Sequence, residues 1–234
     1  MGTGATVNSA VLLSARSLVK SYRRGPEEVH ALAGATFDLF PGEVVALIGP
    51  SGSGKTTLLN LIVGWEDAES GSIEWSGQHV PAADRLWNDL SIVPQRLGLI
   101  EELSVAENIR LPLRLGQRAS AEDQAQHLMD DLGLAQFADR IPTEISLGEQ
   151  QRTGLARALV CAPRLLLADE PTGHQDAVWG RGVLRTLRRA ADGGTTSLIA
   201  THNEEVLKYV DRVLSIKDGH LHEELAGGRR EDAH

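Results

Sequence analysis

The chain has 234 residues, 41% hydrophobic, 24% charged and 4% aromatic, with a formal net charge of −9 and a single cysteine, Cys161. That length suits one large domain divided into sub-domains, and the composition is globular rather than disordered or collagen-like. The acidic balance argues against a nucleic-acid coat, and one cysteine excludes an internal disulfide and suits a reducing compartment.

At the start, Met1-Gly2-Thr3-Gly4-Ala5-Thr6 matches the loose myristoylation pattern, which is short enough to arise by chance, so the segment is read as a floppy leader. No basic residue precedes Arg16, so it does not resemble a secretory signal. Residues 11–22 and 33–40 read as short strands, the second ending at Pro41-Gly42. From Glu43 to Ile48, one acid and then unbroken apolar residues give the pattern of a strand buried on both faces of a parallel sheet. The longest such run, Val44–Ile48, is far below the ~20 residues of a membrane helix, so no span is expected. A glycine-rich loop at 49–54 leads into a helix from Lys55 to about Val63, and residues 72–93 read as further strands and turns.

From Ser104 to about Arg140 the pattern is helical, with Ser104/Glu107 and Ser120/Asp123 spaced as capping boxes and Pro112 expected to kink the first helix. A helix over about 148–161 precedes a second buried strand, Leu165-Leu166-Leu167-Ala168. Residues 175–191 read as helix, 195–200 and 212–217 as strands, and the Gly- and Arg-rich tail after Ala226 as loose. Strands alternating with helices imply an α/β core with a mostly parallel sheet, interrupted by a helical insert.

Gly49-Pro50-Ser51-Gly52-Ser53-Gly54-Lys55-Thr56 fits G-x-x-x-x-G-K-[ST] in the context that motif requires, after a strand and before a helix. The glycines let backbone N–H groups turn inward around phosphate oxygens, and the helix N-terminus adds partial positive charge. Lys55 is expected to reach the β- and γ-phosphates and Thr56 to ligate Mg²⁺. A merely flexible Gly/Ser loop would not need all eight positions in this context. At the end of the second buried strand, Asp169 is placed to hold Mg²⁺ through water, and Glu170 to orient and deprotonate an attacking water. Alone, that acidic pair would equally suit a surface strand end.

Ile145-Ser146-Leu147-Gly148-Glu149-Gln150-Gln151-Arg152, followed by Ala156-Arg157-Ala158-Leu159 and Asp169-Glu170-Pro171-Thr172-Gly173, closely resembles the signature stretch of ABC ATPases, over essentially residues 11–225. The resemblance implies a P-loop NTPase core with an antiparallel β subdomain, the two occupying 11–95 and 158–225, a helical subdomain at 96–157 and a loose tail at 226–234. It implies a nucleotide site running through Thr57, with Tyr22 stacking on adenine, although a strand-end tyrosine could also be plain surface. Gln95 is expected to reach Mg²⁺ and border a permease contact. Asp176 would link two active sites, and His202 would act as a switch near the γ-phosphate. Ser146 would cap its helix and, with the Gly148 N–H, form an anion site facing the γ-phosphate of a second subunit. ATP and Mg²⁺ are the implied cofactors. The implied partners are an integral-membrane permease and a second copy or a homologous ATPase, with no nucleic acid, at the cytoplasmic face of the cell membrane.

The chain departs from the family pattern in four places: Leu147 replaces the first signature glycine, Asn203 follows the switch histidine, His174-Gln175-Asp176 stands for Asn-Leu-Asp, and Trp179 is unexpectedly large. All catalytic side chains are retained, so an active ATPase is expected. Glu107-Asn108-Ile109-Arg110-Leu111-Pro112-Leu113, Val29-His30-Ala31-Leu32 and Glu149-Gln150-Gln151-Arg152 resemble the lipoprotein-release and macrolide-export subgroup. An ATP-driven signalling switch acting through its permease, or a soluble ABC ATPase, remain alternatives. Arg110, Arg114 and Arg118 form a row that is either a solvated face or a contact with anionic lipid or the permease; Arg181, Arg185 and Arg188 read as solvent-facing. Cys161 reads as a small buried hydrophobe, and Trp65, Trp75 and Trp87 as core or sub-domain-edge residues.

Overall fold

Side chains alternate across a strand, so an apolar run buried on both faces must divide its residues between two cores. The computed structural model of the chain describes residues 11–25, 27–79, 89–116, 122–173 and 175–225. In it, β3 (Val44–Ile48), β6 (Leu165–Asp169) and β7 (Thr196–Thr201) do divide in this way. Val44, Ala46, Leu166, Ala168 and Ile199 face one cluster, while Val45, Leu47, Leu165, Leu167, Leu198 and Ala200 face the other.

Six strands form the main sheet in the order β5-β6-β7-β3-β8-β9, with β5 at Leu90–Val93, β8 at Arg212–Lys217 and β9 at His220–Leu225. β5, β6, β7, β3 and β8 run parallel, and β9 is antiparallel to β8. A three-stranded antiparallel sheet, β2-β1-β4, comprises β1 (Leu13–Arg24), β2 (Glu27–Leu39) and β4 (Ser70–Trp75). With α1 (Lys55–Val63), it covers the second cluster. Helices α2 (Val105–Leu115), α3 (Glu122–Asp131), α4 (Leu147–Leu159) and α5 (Ala177–Asp192) cover the first.

Local chemistry sets the helix starts. Ser104 and Glu107 form the expected capping box at α2, and Ser146 and Glu149 form one at α4. The buried amide of Asn108 accepts from the Ile100 N–H and donates to the carbonyls of Ile100, Leu103 and Ser104, locking the loop before α2. The α2 helix runs on through Pro112 to Leu115.

Several expectations need correction. β2 starts at Glu27, six residues before the reading from 33, because its polar end continues a hairpin with β1 around Gly25. β9 carries no apolar pattern to mark it as a strand, yet the Asp218-Gly219 turn, with positive φ at both residues, is a strong hairpin signal. Trp65 is 58% exposed, not core, whereas Trp75 and Cys161 are buried. Arg181 and Arg185 face solvent, but Arg188 pairs with Asp211 at 2.7 Å and Asp192 at 3.2 Å, tying α5 to the start of β8. Arg110 pairs with Glu122 of α3 at 2.7 Å. The expectations for the leader, Trp87, Arg118, Ser120, His174 and the tail lie outside the described residues.

Candidate active site

Parallel strands put their carboxyl ends on one edge, and ligand sites of such sheets gather there. The register pairs Ile48 with Thr201 and Asp169 with Ala200, so the loop after β3 and the residues following β6 and β7 meet. The segment Gly49–Gly54 turns sharply into α1, with φ +79° at Gly52 and +108° at Gly54. A Cβ on Gly54 would collide with the Ala31 carbonyl, and one on Gly49 with the Ile216 carbonyl. Glycine is required at both by close backbone approach.

Lys55 Nζ donates to the carbonyls of Gly49 at 2.7 Å and Pro50 at 3.1 Å, curling the loop around its amine. Ser53 Oγ is buried without a hydrogen-bond partner, an arrangement that suits an incoming acceptor such as a phosphate oxygen. Beside the loop lies a cavity of about 350 Å³ bordered by Tyr22, Val29, Ala31, Gly52, Lys55 and Thr57. The Tyr22 hydroxyl donates to Glu66, whose other oxygen accepts from Asn60 Nδ2 at 2.8 Å. Burial and the Glu66 carboxylate raise the Tyr22 pKa.

Thr56 Oγ1 donates to Asp169 Oδ2 at 2.8 Å. Burial raises the Asp169 pKa, and the Glu170 charge adds to this, while the Thr56 bond and Lys55 oppose it. A hydroxyl and a buried carboxylate side by side are the hard oxygen donors that Mg²⁺ prefers, and the site gives that carboxylate reason to take a cation.

Glu170 has φ +53°, in the left-handed region that side chains seldom adopt. Its N–H donates to the Ala200 carbonyl at 2.8 Å and its carbonyl accepts from Gly173 N–H at 3.1 Å, so the turn is held from both sides. The resulting carboxylate accepts from Thr201 Oγ1 at 3.1 Å and meets His202 Nδ1 at 2.7 Å. Thr201 is a site residue that no motif singles out, and its one sequence signal is its place just before His202 at a strand end.

Ser146 and Gly148 lie apart from this cluster. They border a second cavity of about 520 Å³ with Leu147, Arg152, Asp176 and Trp179. Ser146 Oγ accepts from the Glu149 N–H at 3.3 Å, capping α4 as expected. Leu147 is 48% exposed at the rim of that cavity. Asp176 Oδ1 accepts from the N–H groups of Val178 and Trp179, both at 2.9 Å, and so caps α5. Gln95 is exposed just past β5, whose register with β6 continues toward Glu170. The structure thus joins Gly49–Thr57, Asp169, Glu170 and His202 at one edge, and places Ser146, Gly148 and Asp176 at another.

Residues 32–173 match the ABC transporter family. The chain is 39% identical over 219 residues to the lipoprotein-releasing system ATP-binding protein LolD 2 of Caulobacter vibrioides, covering 90% of this chain and 96% of that protein. It is 38% identical over 224 residues to LolD of Pseudomonas fluorescens, covering 92% and 99%. Against the macrolide export ATP-binding/permease protein MacB of Escherichia coli K12 it is 35% identical, covering 90% of this chain and 34% of that one. The dimeric structure of the ATP-binding cassette MJ0796 in a post-hydrolysis state, bound to ADP and Pi, superposes with a TM-score of 0.83 at 29% identity, covering 93% of this chain and 100% of that one.

Proposed function

The chain belongs to the ABC transporter family as an ATP-binding, ATP-hydrolysing subunit, and from that premise we propose that it powers a lipoprotein-releasing or macrolide-exporting type of permease from the cytoplasmic face of the membrane. The supporting observation is the Glu170 carboxylate held by Thr201 and His202 beside the Thr56–Asp169 pair. Among the described residues no helix is long and apolar enough to cross a membrane, so the transport path is assigned to the partner.

In this reading the Gly49–Thr57 backbone and Lys55 hold the β- and γ-phosphates, and Tyr22 stacks on adenine from the rim of the cavity. Thr56 and Asp169 hold Mg²⁺, with Gln95 reaching the same site. Mg²⁺ bound there would supply positive charge to offset that of the phosphates. Glu170 accepts a proton from the attacking water, and Thr201 and His202 orient its carboxylate. Ser146 and Gly148 face the γ-phosphate held by a second copy, and Asp176 lies at the junction between the two sites. Co-expression with a candidate permease of that type tests the reading. Co-purification with ATPase activity that the permease alters is expected; a chain that neither co-purifies nor responds overturns it.

The anion site makes a sharper expectation. A carboxylate at position 148 would occupy the phosphate gap and repel the anion, so Gly148→Asp should abolish ATP-driven dimerisation while monomer nucleotide affinity is unchanged. Leu147→Gly should keep turnover within about tenfold, roughly 1.4 kcal/mol in the barrier, since the phosphate contacts proposed here come from Ser146 and Gly148 and not from the side chain between them. Sedimentation with ATP, together with steady-state turnover, checks both. A Gly148→Asp variant that dimerises and hydrolyses, or a dead Leu147→Gly, would sink the asymmetry.

A further inference from the structure

We propose that Trp179 is a positioning residue for the anion site at Ser146 and Gly148, acting through a clamp made with Arg152 and Gln175. The inference rests on reading that site as the contact for a second copy's γ-phosphate. Trp179 lies in the first turn of α5, half-buried, and its ring fills the space over Gly133, where any Cβ would collide with it. On the ring lies the Arg152 guanidinium, 4.2 Å from the centroid and 4% exposed as a residue.

Arg152 reaches in two further directions. Its Nε donates to the Leu132 carbonyl at 2.8 Å and its Nη1 to Gln175 Oε1 at 2.8 Å. The three partners are a carbonyl, an amide and an indole face. A cation–π contact is strongest when desolvated, as here, and the planar guanidinium can stack and donate at once. Burial pushes the Arg152 pKa down, so the contacts that hold the charged form matter.

Gln175 carries the link to the anion site. Its Nε2 donates to the Gly148 carbonyl at 2.9 Å and to Gln151 Oε1 at 3.0 Å. Gly148 and Arg152 are four residues apart on one face of α4, so the clamp grips the first turns of that helix. Gln175 also directly precedes Asp176, whose carboxylate caps α5. The amide of Gln175 therefore fixes the peptide that follows Gly148, and the next residue in the chain caps the helix that carries Trp179. Ser146, Gly148 and Asp176 are held as one unit across the gap between α4 and α5.

The clamp should matter for pairing of subunits and not for nucleotide binding by the monomer, because none of its members borders the Lys55 cavity. In a Glu170→Gln background, Trp179→Ala and Gln175→Leu should each raise the ATP concentration for half-maximal dimerisation at least tenfold. Monomer ATP affinity should stay within twofold. Trp179→Phe, which keeps a ring under the guanidinium, should stay within threefold of the parent in dimerisation.

Sedimentation across an ATP series, fluorescent-nucleotide titration of the monomer and thermal melting give the three readouts. A folded Trp179→Ala with parental dimerisation, or one with only a lower Tm, overturns the proposal. If Trp179→Ala does not fold, Gln175→Leu decides in the same way. A Glu170→Gln parent that fails to dimerise overturns the reading of the second-copy contact together with the clamp, whereas a parent that dimerises and variants that match it overturn the clamp alone.

Discussion

A Glu170→Gln variant should bind ATP with its original affinity and hydrolyse it at least about a hundredfold more slowly, the lower end of what a positioned general base contributes. The substitution is nearly isosteric, and the backbone that aims the side chain stays intact: the strained φ of +53° is held by the bonds to Ala200 and Gly173. What changes is the second oxygen. The carboxylate serves Thr201 with Oε2 and His202 with Oε1, and an amide keeps only one acceptor and cannot take a proton from water. Nucleotide affinity is unaffected because the phosphate loop is untouched. The variant should accumulate as an ATP-bound dimer on a sizing column. Single-turnover hydrolysis near the original rate would remove Glu170 from the role of base.

Lys55→Ala should lose ATP affinity about a hundredfold, near 2.7 kcal/mol, and lose turnover with it. That loss is of the size expected for a hydrogen bond to a charged group, about 1.5–3 kcal/mol. Two effects act together. In the proposed function the ammonium is the point charge aimed at the β- and γ-phosphates, and its donors also brace the loop through the Gly49 and Pro50 carbonyls. An alanine supplies neither. Calorimetric titration of ATP measures the change, and an affinity within threefold of the original would overturn the phosphate assignment. The two variants separate binding from chemistry, since the first keeps the nucleotide and the second does not.

Much of the candidate site's backbone is legible in the chain because its geometry is local. The glycine spacing of 49–54, the lysine and threonine that follow, and the acids at the end of an apolar run all specify short backbone shapes. Short segments have few ways to satisfy their own N–H and C=O groups. The caps at Ser104 and Ser146 were equally readable, since each box closes within four residues. The unbroken apolar runs of β3 and β6 announced a buried parallel sheet, since a strand covered on both faces has no polar face to alternate with.

Tertiary packing decided the rest. The partners of Arg152 lie at 132, 175 and 179, Tyr22 finds Glu66, and Arg188 finds Asp211. No spacing rule connects those positions, because their separation is set by how helices and sheets stack after the chain has folded back. A large side chain on α5 looked out of place in the sequence and fits only because a glycine at 133 leaves room beneath it. Long side chains pair with whatever the folded surface brings near. The backbone motifs were therefore determined by sequence alone, while the contacts that orient Glu170, Tyr22 and the anion site were determined by packing between elements distant in the chain.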